Sequence, residues 1–262
     1  MSPKISIITV VYNDAKHISK TIESVINQCY QNIEYVIIDG GSKDSTVDKI
    51  NNYINKVNIF ISEQDLGIYD AMNKGTRLAT GDFLLFLNSG DVFHNNGVIS
   101  KLAEYIIKVK PVDLIYGDVG IATSKINFIP ILKSKQISLI IEGMVANHQS
   151  CLISRDLQTK YNYDLKYKLA SDYHFILRSY LNGARIVQID EIISVISDGG
   201  VSDANRLSVF REKLRIKNEL NYSLKNYFDF YIESGYMYIA SMGKKILPNA
   251  VLTILYKRKY EN

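Results

Sequence analysis

The first 120 residues alternate short apolar runs with amphipathic stretches, and no other feature limits the fold so sharply. Ile5–Val11 reads as a buried strand, and residues 15–28 follow with Ile18, Ile22, Val25 and Ile26 at helical spacing. Tyr35–Ile38 is a second strand, closed by Asp39-Gly40-Gly41-Ser42, after which Asp44 or Ser45 caps a helix carrying Val47, Ile50 and Ile54. Asn58–Ile61 and Phe83–Leu87 are further strands separated by a helix over Tyr69–Leu78, and residues 96–108 and 112–116 add one more helix and strand. Strands alternating with helices predict an α/β fold, a parallel sheet with helices on both faces. The near-continuous apolar character of Phe83–Leu87 suits a strand covered on both sides.

Past Gly117 the regularity fails. Residues 126–154 read as short strands and loops, Ala170–Leu181 as a helix with Tyr173, Ile176, Leu177 and Tyr180 on one face, and 185–196 as extended chain. From Asn205 to Gly243 the pattern is helical and rich in Tyr and Lys, with Pro248 interrupting it. The expected organisation is one domain over 1–204 and a helical, basic C-terminal extension over 205–262. At 262 residues and 47% hydrophobic, the chain can bury a sizeable core, which excludes disordered, collagen-like and disulfide-stapled classes. Cys29 and Cys151 have no metal-knuckle spacing, and a reduced cytoplasmic setting is expected. Neither a signal peptide nor an apolar run of about 18–20 residues is visible, so a soluble or peripheral protein is expected.

Chemistry in such a sheet belongs at the carboxyl ends of the strands. Those ends carry Tyr12-Asn13-Asp14, Asp39-Gly40-Gly41-Ser42, Glu63-Gln64-Asp65 and Asn88-Ser89-Gly90-Asp91. The glycine pattern of a dinucleotide enzyme is missing after the first strand, and no phosphate-cradling Gly-x-x-x-x-Gly-Lys-Ser/Thr run occurs, so both of those classes are excluded. An acid-rich edge is suited to holding a ligand's phosphates through Mg²⁺ or Mn²⁺, which take oxygen ligands. Asp91, ending the most apolar strand, is the candidate metal ligand; a turn-forming role is the competing reading.

Four blocks together resemble family 2 glycosyltransferases. They are Ile5–Val11 with Tyr12-Asn13; Ile38-Asp39-Gly40-Gly41-Ser42-Lys43-Asp44-Ser45-Thr46; Glu63-Gln64-Asp65-Leu66-Gly67-Ile68-Tyr69-Asp70-Ala71-Met72-Asn73-Lys74-Gly75; and Ala79-Thr80-Gly81-Asp82-Phe83 running on to Phe86-Leu87-Asn88-Ser89-Gly90-Asp91. The resemblance spans roughly residues 3–203. It implies a GT-A fold (Rossmann-like, mainly parallel sheet) with the helical tail appended. It also implies a nucleotide-sugar donor, a divalent cation and inversion at the anomeric carbon.

Carried over residue by residue, Asp39 matches the carboxylate that contacts the donor base, and the first-strand end, including Thr9, Val11 and Tyr12, matches the ribose and base wall. Asp65 and Asn73 belong to the same donor site. Asn88, Ser89 and Gly90 stand in the Asp-x-Asp region, where Asn88 and Gly90 replace common acids and leave Asp91 as the sole carboxylate. Asp172 stands where the family places its base, at a helix start, although Ser171 and Asp172 are also ordinary first-turn residues. Burial would raise its pKa toward useful basicity. His148 and Gln149 resemble a block of one branch and are placed beside the diphosphate or the acceptor, the competing reading of His148 being structural. Asp198, before Gly199-Gly200-Val201-Ser202, is a further candidate near the metal or phosphates. His17, His94 and His174 read as surface or packing residues.

The net charge of +4 is unevenly placed: residues 206–262 carry 11 Lys/Arg against 5 Asp/Glu, the remainder 20 against 22. Lys244, Lys245, Lys257, Arg258 and Lys259 flank the apolar Ile246–Tyr256, which reads either as a packed helix with a solvated face or as an anchor on an anionic inner membrane leaflet. The resulting expectation is an inverting hexosyl- or N-acetylhexosaminyltransferase using a UDP-sugar. Its acceptor would be a glycan or polyprenyl-diphosphate-linked saccharide in bacterial surface-polysaccharide biosynthesis. With no Trp, the chain lacks the Gln-x-x-Arg-Trp block of processive relatives and should add one residue per encounter. The alternatives are a catalytically degenerate nucleotide-sugar-binding module and a sugar nucleotidyltransferase. No nucleic-acid partner is expected. The Tyr-rich 222–238 region could pair two copies.

Overall fold

The computed structural model describes residues 2–123, 128–197 and 205–220. The expectations for Asp198, for the turn over 199–202, for the 222–238 region and for the basic segments around Ile246–Tyr256 lie outside the described residues. The chain begins as its alternation predicts: β1 (Ile5–Val11), α1 (Ile18–Ile26), β2 (Ile33–Asp39), α2 (Thr46–Asn51), β3 (Ile59–Ser62), α3 (Ile68–Leu78) and β4 (Phe83–Phe86). These four strands pair in parallel, in the order β3-β2-β1-β4. Every residue of β1 is buried, because helices cover both of its faces.

The second half departs from a purely parallel sheet. It comprises β5 (Val92–Phe93), α4 (Val98–Val109), β6 (Leu114–Ala122), β7 (Ile131–Leu132), β8 (Cys151–Ser154), α5 (Arg155–Tyr161), α6 (Ser171–Leu181), β9 (Ile186–Ser197) and α7 (Arg206–Glu219). Strand β8 inserts between β4 and β6, antiparallel to both, so the sheet runs β3-β2-β1-β4-β8-β6-β9-β5, with β7 on β6. An antiparallel insertion needs no crossover helix, which is why the helical alternation stops where the order becomes mixed.

Two apolar layers sandwich the sheet. One packs Ile8, Val10, Val36 and Ile38 with Met72 of α3, Leu157 of α5, Phe175 of α6 and Ile216 of α7. The other packs Ile5, Ile7, Val11 and Ile37 with Ile22 of α1, Ile50 of α2 and Leu102 of α4. Each fully buried Ile or Leu contributes about 1.5–3 kcal/mol of transfer free energy. Helix α3 approaches β1 through Gly75, where a Cβ would stand 2.5 Å from Ile8 Cγ2. That approach brings the amino end of α3 up beside the strand ends.

Glu34, only 5% exposed, fastens the opposite end of the parallel half. It accepts from Lys4 Nζ (2.7 Å), Ser6 Oγ (2.6 Å), and Thr80 N and Oγ1 (2.7 and 2.6 Å). Burial alone pushes its pKa up, but these donors outweigh burial and lower it to about 2. Cys29 is exposed and Cys151 buried, and both are free thiols. Among the described residues no helix is long and apolar enough to cross a membrane.

Candidate active site

The carboxyl ends of β1, β2 and β4 gather the predicted residues along one rim. At the end of β2, Asp39 is fully buried. It accepts from Gly41 N (3.2 Å), Ser42 N (3.0 Å), Ser42 Oγ and Ser62 Oγ (2.7 Å). Four protein donors make this carboxylate the organiser of the Gly40-Gly41-Ser42 turn, and Gly41 adopts φ +78°, which suits glycine. The groups the turn presents are different ones. A Cβ on Gly40 would lie 2.5 Å from Asp65 Oδ2 and 3.4 Å from the Tyr12 ring, so the missing side chain is what lets those two approach. Tyr12 is 62% exposed, an aromatic face open to a ligand. Asp65 also holds its own turn through Gly67 N at 2.8 Å.

Three residues carried over with the donor site are committed elsewhere. Thr9 is fully buried, its hydroxyl 3.1 Å from Tyr35 Oη, and Val11 is 5% exposed and packed in the α1/α2/α4 layer, so the exposed side chain at this strand end is Tyr12. Asn73 is 6% exposed, and its amide is spent on the Tyr163 backbone: Nδ2 donates to the carbonyl at 2.8 Å and Oδ1 accepts from N–H at 2.9 Å. It braces α3 against the segment between α5 and α6.

The turn after β4 holds the acid. Gly90 has φ +92°. Ser89 Oγ donates to Asp14 Oδ2 at 2.7 Å. Asp91 is 7% exposed. Its Oδ2 accepts from Gln149 Nε2 at 3.0 Å and its Oδ1 from Ser197 N at 3.3 Å. Burial pushes its pKa up to about 6, partly offset by the hydrogen bonds from Gln149 and Ser197 N. Among the described residues no three His, Cys, Asp or Glu side chains cluster where they could share a metal. The donor set nevertheless fits one hard cation shared with a diphosphate: the Asp91 carboxylate is accompanied by Asn88 Oδ1, a buried oxygen with no hydrogen-bond partner.

Asn88 also opens a chain of contacts to Asp172. Its Nδ2 is 3.0 Å from His148 Nε2, and His148 Nδ1 is 3.3 Å from Asp172 Oδ2. With Nδ2 donating, the imidazole proton sits on Nδ1 and faces the carboxylate. On the other oxygen, Asp172 Oδ1 accepts from Tyr69 Oη at 3.0 Å and from Tyr173 N at 2.8 Å. Oδ1 is therefore doubly engaged while Oδ2 keeps lone-pair capacity. The sequence-based expectation of a raised Asp172 pKa is corrected: burial does raise it, but the His148 hydrogen bond, with the Tyr173 N–H bond and the Lys213 charge, outweighs burial and the net shift is downward. Tyr69 shifts the opposite way, held well above 10.0 by burial and the Asp172 charge, so it stays a donor.

Tyr69, Ser197 and Asp14 carry no role in the sequence reading, yet each contacts a candidate residue. Tyr69 was discoverable from its place in the third block, at the start of a helix adjoining the rim; Ser197 lies 106 residues from Asp91 and leaves no local signal. The remaining histidines read as expected: His17 pairs with Asp14 Oδ1 at 2.7 Å, His94 is exposed, and His174 is 7% exposed with its ring centroid 5.0 Å from that of Tyr167.

A family model described as glycosyl transferase family 2 matches residues 6–168. A glycosyltransferase of PGL/p-HBAD biosynthesis from Mycobacterium tuberculosis is 29% identical over 229 residues, 85% of this chain and 88% of the relative. Staphylococcus aureus TarS 1–349, solved with UDP, superposes with a TM-score of 0.65 at 22% identity, over 81% of this chain and 65% of that one. The mannosyltransferase PcManGT from Pyrobaculum calidifontis, solved with GDP-Man and Mn²⁺, superposes with a TM-score of 0.64 at 16% identity, over 96% of this chain and 79% of that one. The last two likenesses concern the fold.

Proposed function

The chain belongs to glycosyl transferase family 2, and from that premise we propose that it transfers one sugar from a UDP-sugar to a hydroxyl of a glycan or lipid-linked saccharide, with inversion at the anomeric carbon. The observation that carries this reading is the setting of Asp172: its Oδ1 is fixed by Tyr69 Oη and Tyr173 N, His148 Nδ1 stands 3.3 Å from Oδ2, and its pKa is drawn downward, so Oδ2 is able to accept a proton. The acceptor hydroxyl gives its proton to Asp172 Oδ2 as its oxygen bonds to the anomeric carbon, and the bond from that carbon to the diphosphate oxygen breaks with its electron pair leaving on the diphosphate. His148 Nδ1–H keeps the carboxylate oriented and anionic until that moment.

Tyr12 and Asp65 flank the nucleotide, and Asp39 acts through the turn it organises. Asp91 and Asn88 Oδ1 would hold Mn²⁺ or Mg²⁺. When bound, such a cation offsets the charge developing on the departing diphosphate. The ligands of PcManGT and TarS, GDP-Man with Mn²⁺ and UDP, support a nucleotide donor and a divalent metal for this chain.

Isothermal titration with UDP and GDP, with and without Mn²⁺, on wild type and Asp91→Ala tests the donor side. Metal-dependent UDP binding lost in the variant is expected; metal-independent binding retained by the variant would make Asp91 structural.

A further inference from the structure

Helix α6 starts without a cap of its own. Ala170 stands at the cap position, with φ −135° and ψ 25°, and offers no side-chain acceptor. The segment leading into it is held instead by α7: Glu212 Oε1 takes the Lys168 N–H at 2.8 Å, and Oε2 takes those of Leu169 at 2.8 Å and Ala170 at 2.9 Å. One carboxylate thus pins three successive backbone groups, the last of them two residues before Asp172.

Helix α7 is itself anchored. Ile216 is fully buried in the α3/α5/α6 layer, and Glu219 Oε2 accepts from Lys166 Nζ and Tyr167 Oη, both at 2.7 Å. Lys213 Nζ sits 5.4 Å from the centroid of the Tyr173 ring. All of α7 lies beyond the residues matched by the family model, which end at 168.

We propose that Glu212 is a positioning residue for catalysis, acting from the C-terminal segment through the 168–170 backbone to set where Asp172 stands. The inference rests on the reading of Asp172 as the base. Charge-assisted bonds to backbone N–H groups are about twice as strong as neutral ones, and an anion at a helix N-terminus gains further from the helix dipole. Without Glu212, the N–H groups of exposed Lys168 and half-buried Leu169 can turn to water, while that of buried Ala170 loses its acceptor. The first turn of α6 then loses its fixed position, and with it the contacts of Asp172 to His148 and Tyr69. Displacement of about 1 Å of a reacting group can cost up to a hundredfold in rate.

The test uses full-length Glu212→Ala, Glu212→Gln and Asp172→Asn. Backbone amide exchange is read at Leu169 and Ala170, and UDP release is read from UDP-glucose and UDP-N-acetylglucosamine with water as acceptor. Glu212→Ala should speed exchange at both amides about tenfold, lower kcat about tenfold and leave the UDP-sugar KM within about twofold. Glu212→Gln, which keeps one acceptor oxygen, should recover part of kcat. Unchanged exchange, or faster exchange with unchanged kcat, would overturn the proposal while leaving Asp172 as the base. Wild-type turnover by Asp172→Asn would remove the base, and the role of Glu212 with it.

Discussion

His148 Nδ1 lies 3.3 Å from Asp172 Oδ2, and this pairing, with the Tyr173 N–H bond and the Lys213 charge, draws the pKa of a half-buried carboxylate down against its desolvation. Burial by itself would favour the protonated acid, which could not take a proton from an acceptor. The imidazole reverses that preference, and Tyr69 holds the second oxygen.

Asp172 should stay ionised down to acid pH, so in wild type the first loss of activity on acidification should follow Asp91, whose pKa burial pushes up to about 6, and the Asp172 limb should lie below it. In His148→Ala burial is opposed only by the Tyr173 N–H bond and the Lys213 charge, so the Asp172 pKa should rise, with about a tenfold or greater loss of kcat at neutral pH. Rate profiles of wild type and variant would show it. An unmoved limb would detach His148 from Asp172.

Gly40→Ala should damage binding more than folding. The added Cβ meets the end of the Asp65 side chain, which can swing aside, so the melting temperature should change little. The juxtaposition of Tyr12 and Asp65 is what that swing destroys. UDP affinity should drop about tenfold or more by titration.

Asn73→Ala should do the reverse. Losing both amide bonds to the Tyr163 backbone should cost about 1–3 kcal/mol in denaturant unfolding. UDP affinity of the folded variant should match wild type. A selective loss of affinity would return Asn73 to the donor site.

Glu34 provides a stability test independent of function. Its folded pKa of about 2 lies below the ordinary 4.5, so its contribution is fully present above 4.5 and is lost as pH falls toward 2. Glu34→Gln should therefore destabilise by about 1–3 kcal/mol at pH 7 and by progressively less below pH 4.5. Unfolding curves across that window would check both parts.

The parallel half of the fold was legible because β1, β2 and β4 are apolar runs separated by helices of clear period, with each chemical turn directly after its strand. Strand β8 was not, since Cys151–Ser154 is too short to announce either its direction or its place between β4 and β6. Local motifs brought Asp91, His148, Gln149 and Asp172 to attention, but not the contacts that set their charge. Those contacts join residues 24 to 106 positions apart: His148 with Asp172, Tyr69 with Asp172, Ser197 with Asp91. Asn73 shows the converse, a polar residue within a functional block whose amide bonds the Tyr163 backbone, a contact the motif does not announce. Glu212 left no trace in the sequence, because a glutamate on a polar helix comes to hold the 168–170 backbone only once α7 has docked beside α6.

The most direct test of the account compares wild type with Asp172→Asn, measuring UDP release from UDP-glucose and UDP-N-acetylglucosamine alongside UDP affinity. The account predicts unchanged affinity and turnover reduced about a hundredfold or more. Turnover near wild type with the same affinity would contradict it, because the proton must then leave through another group.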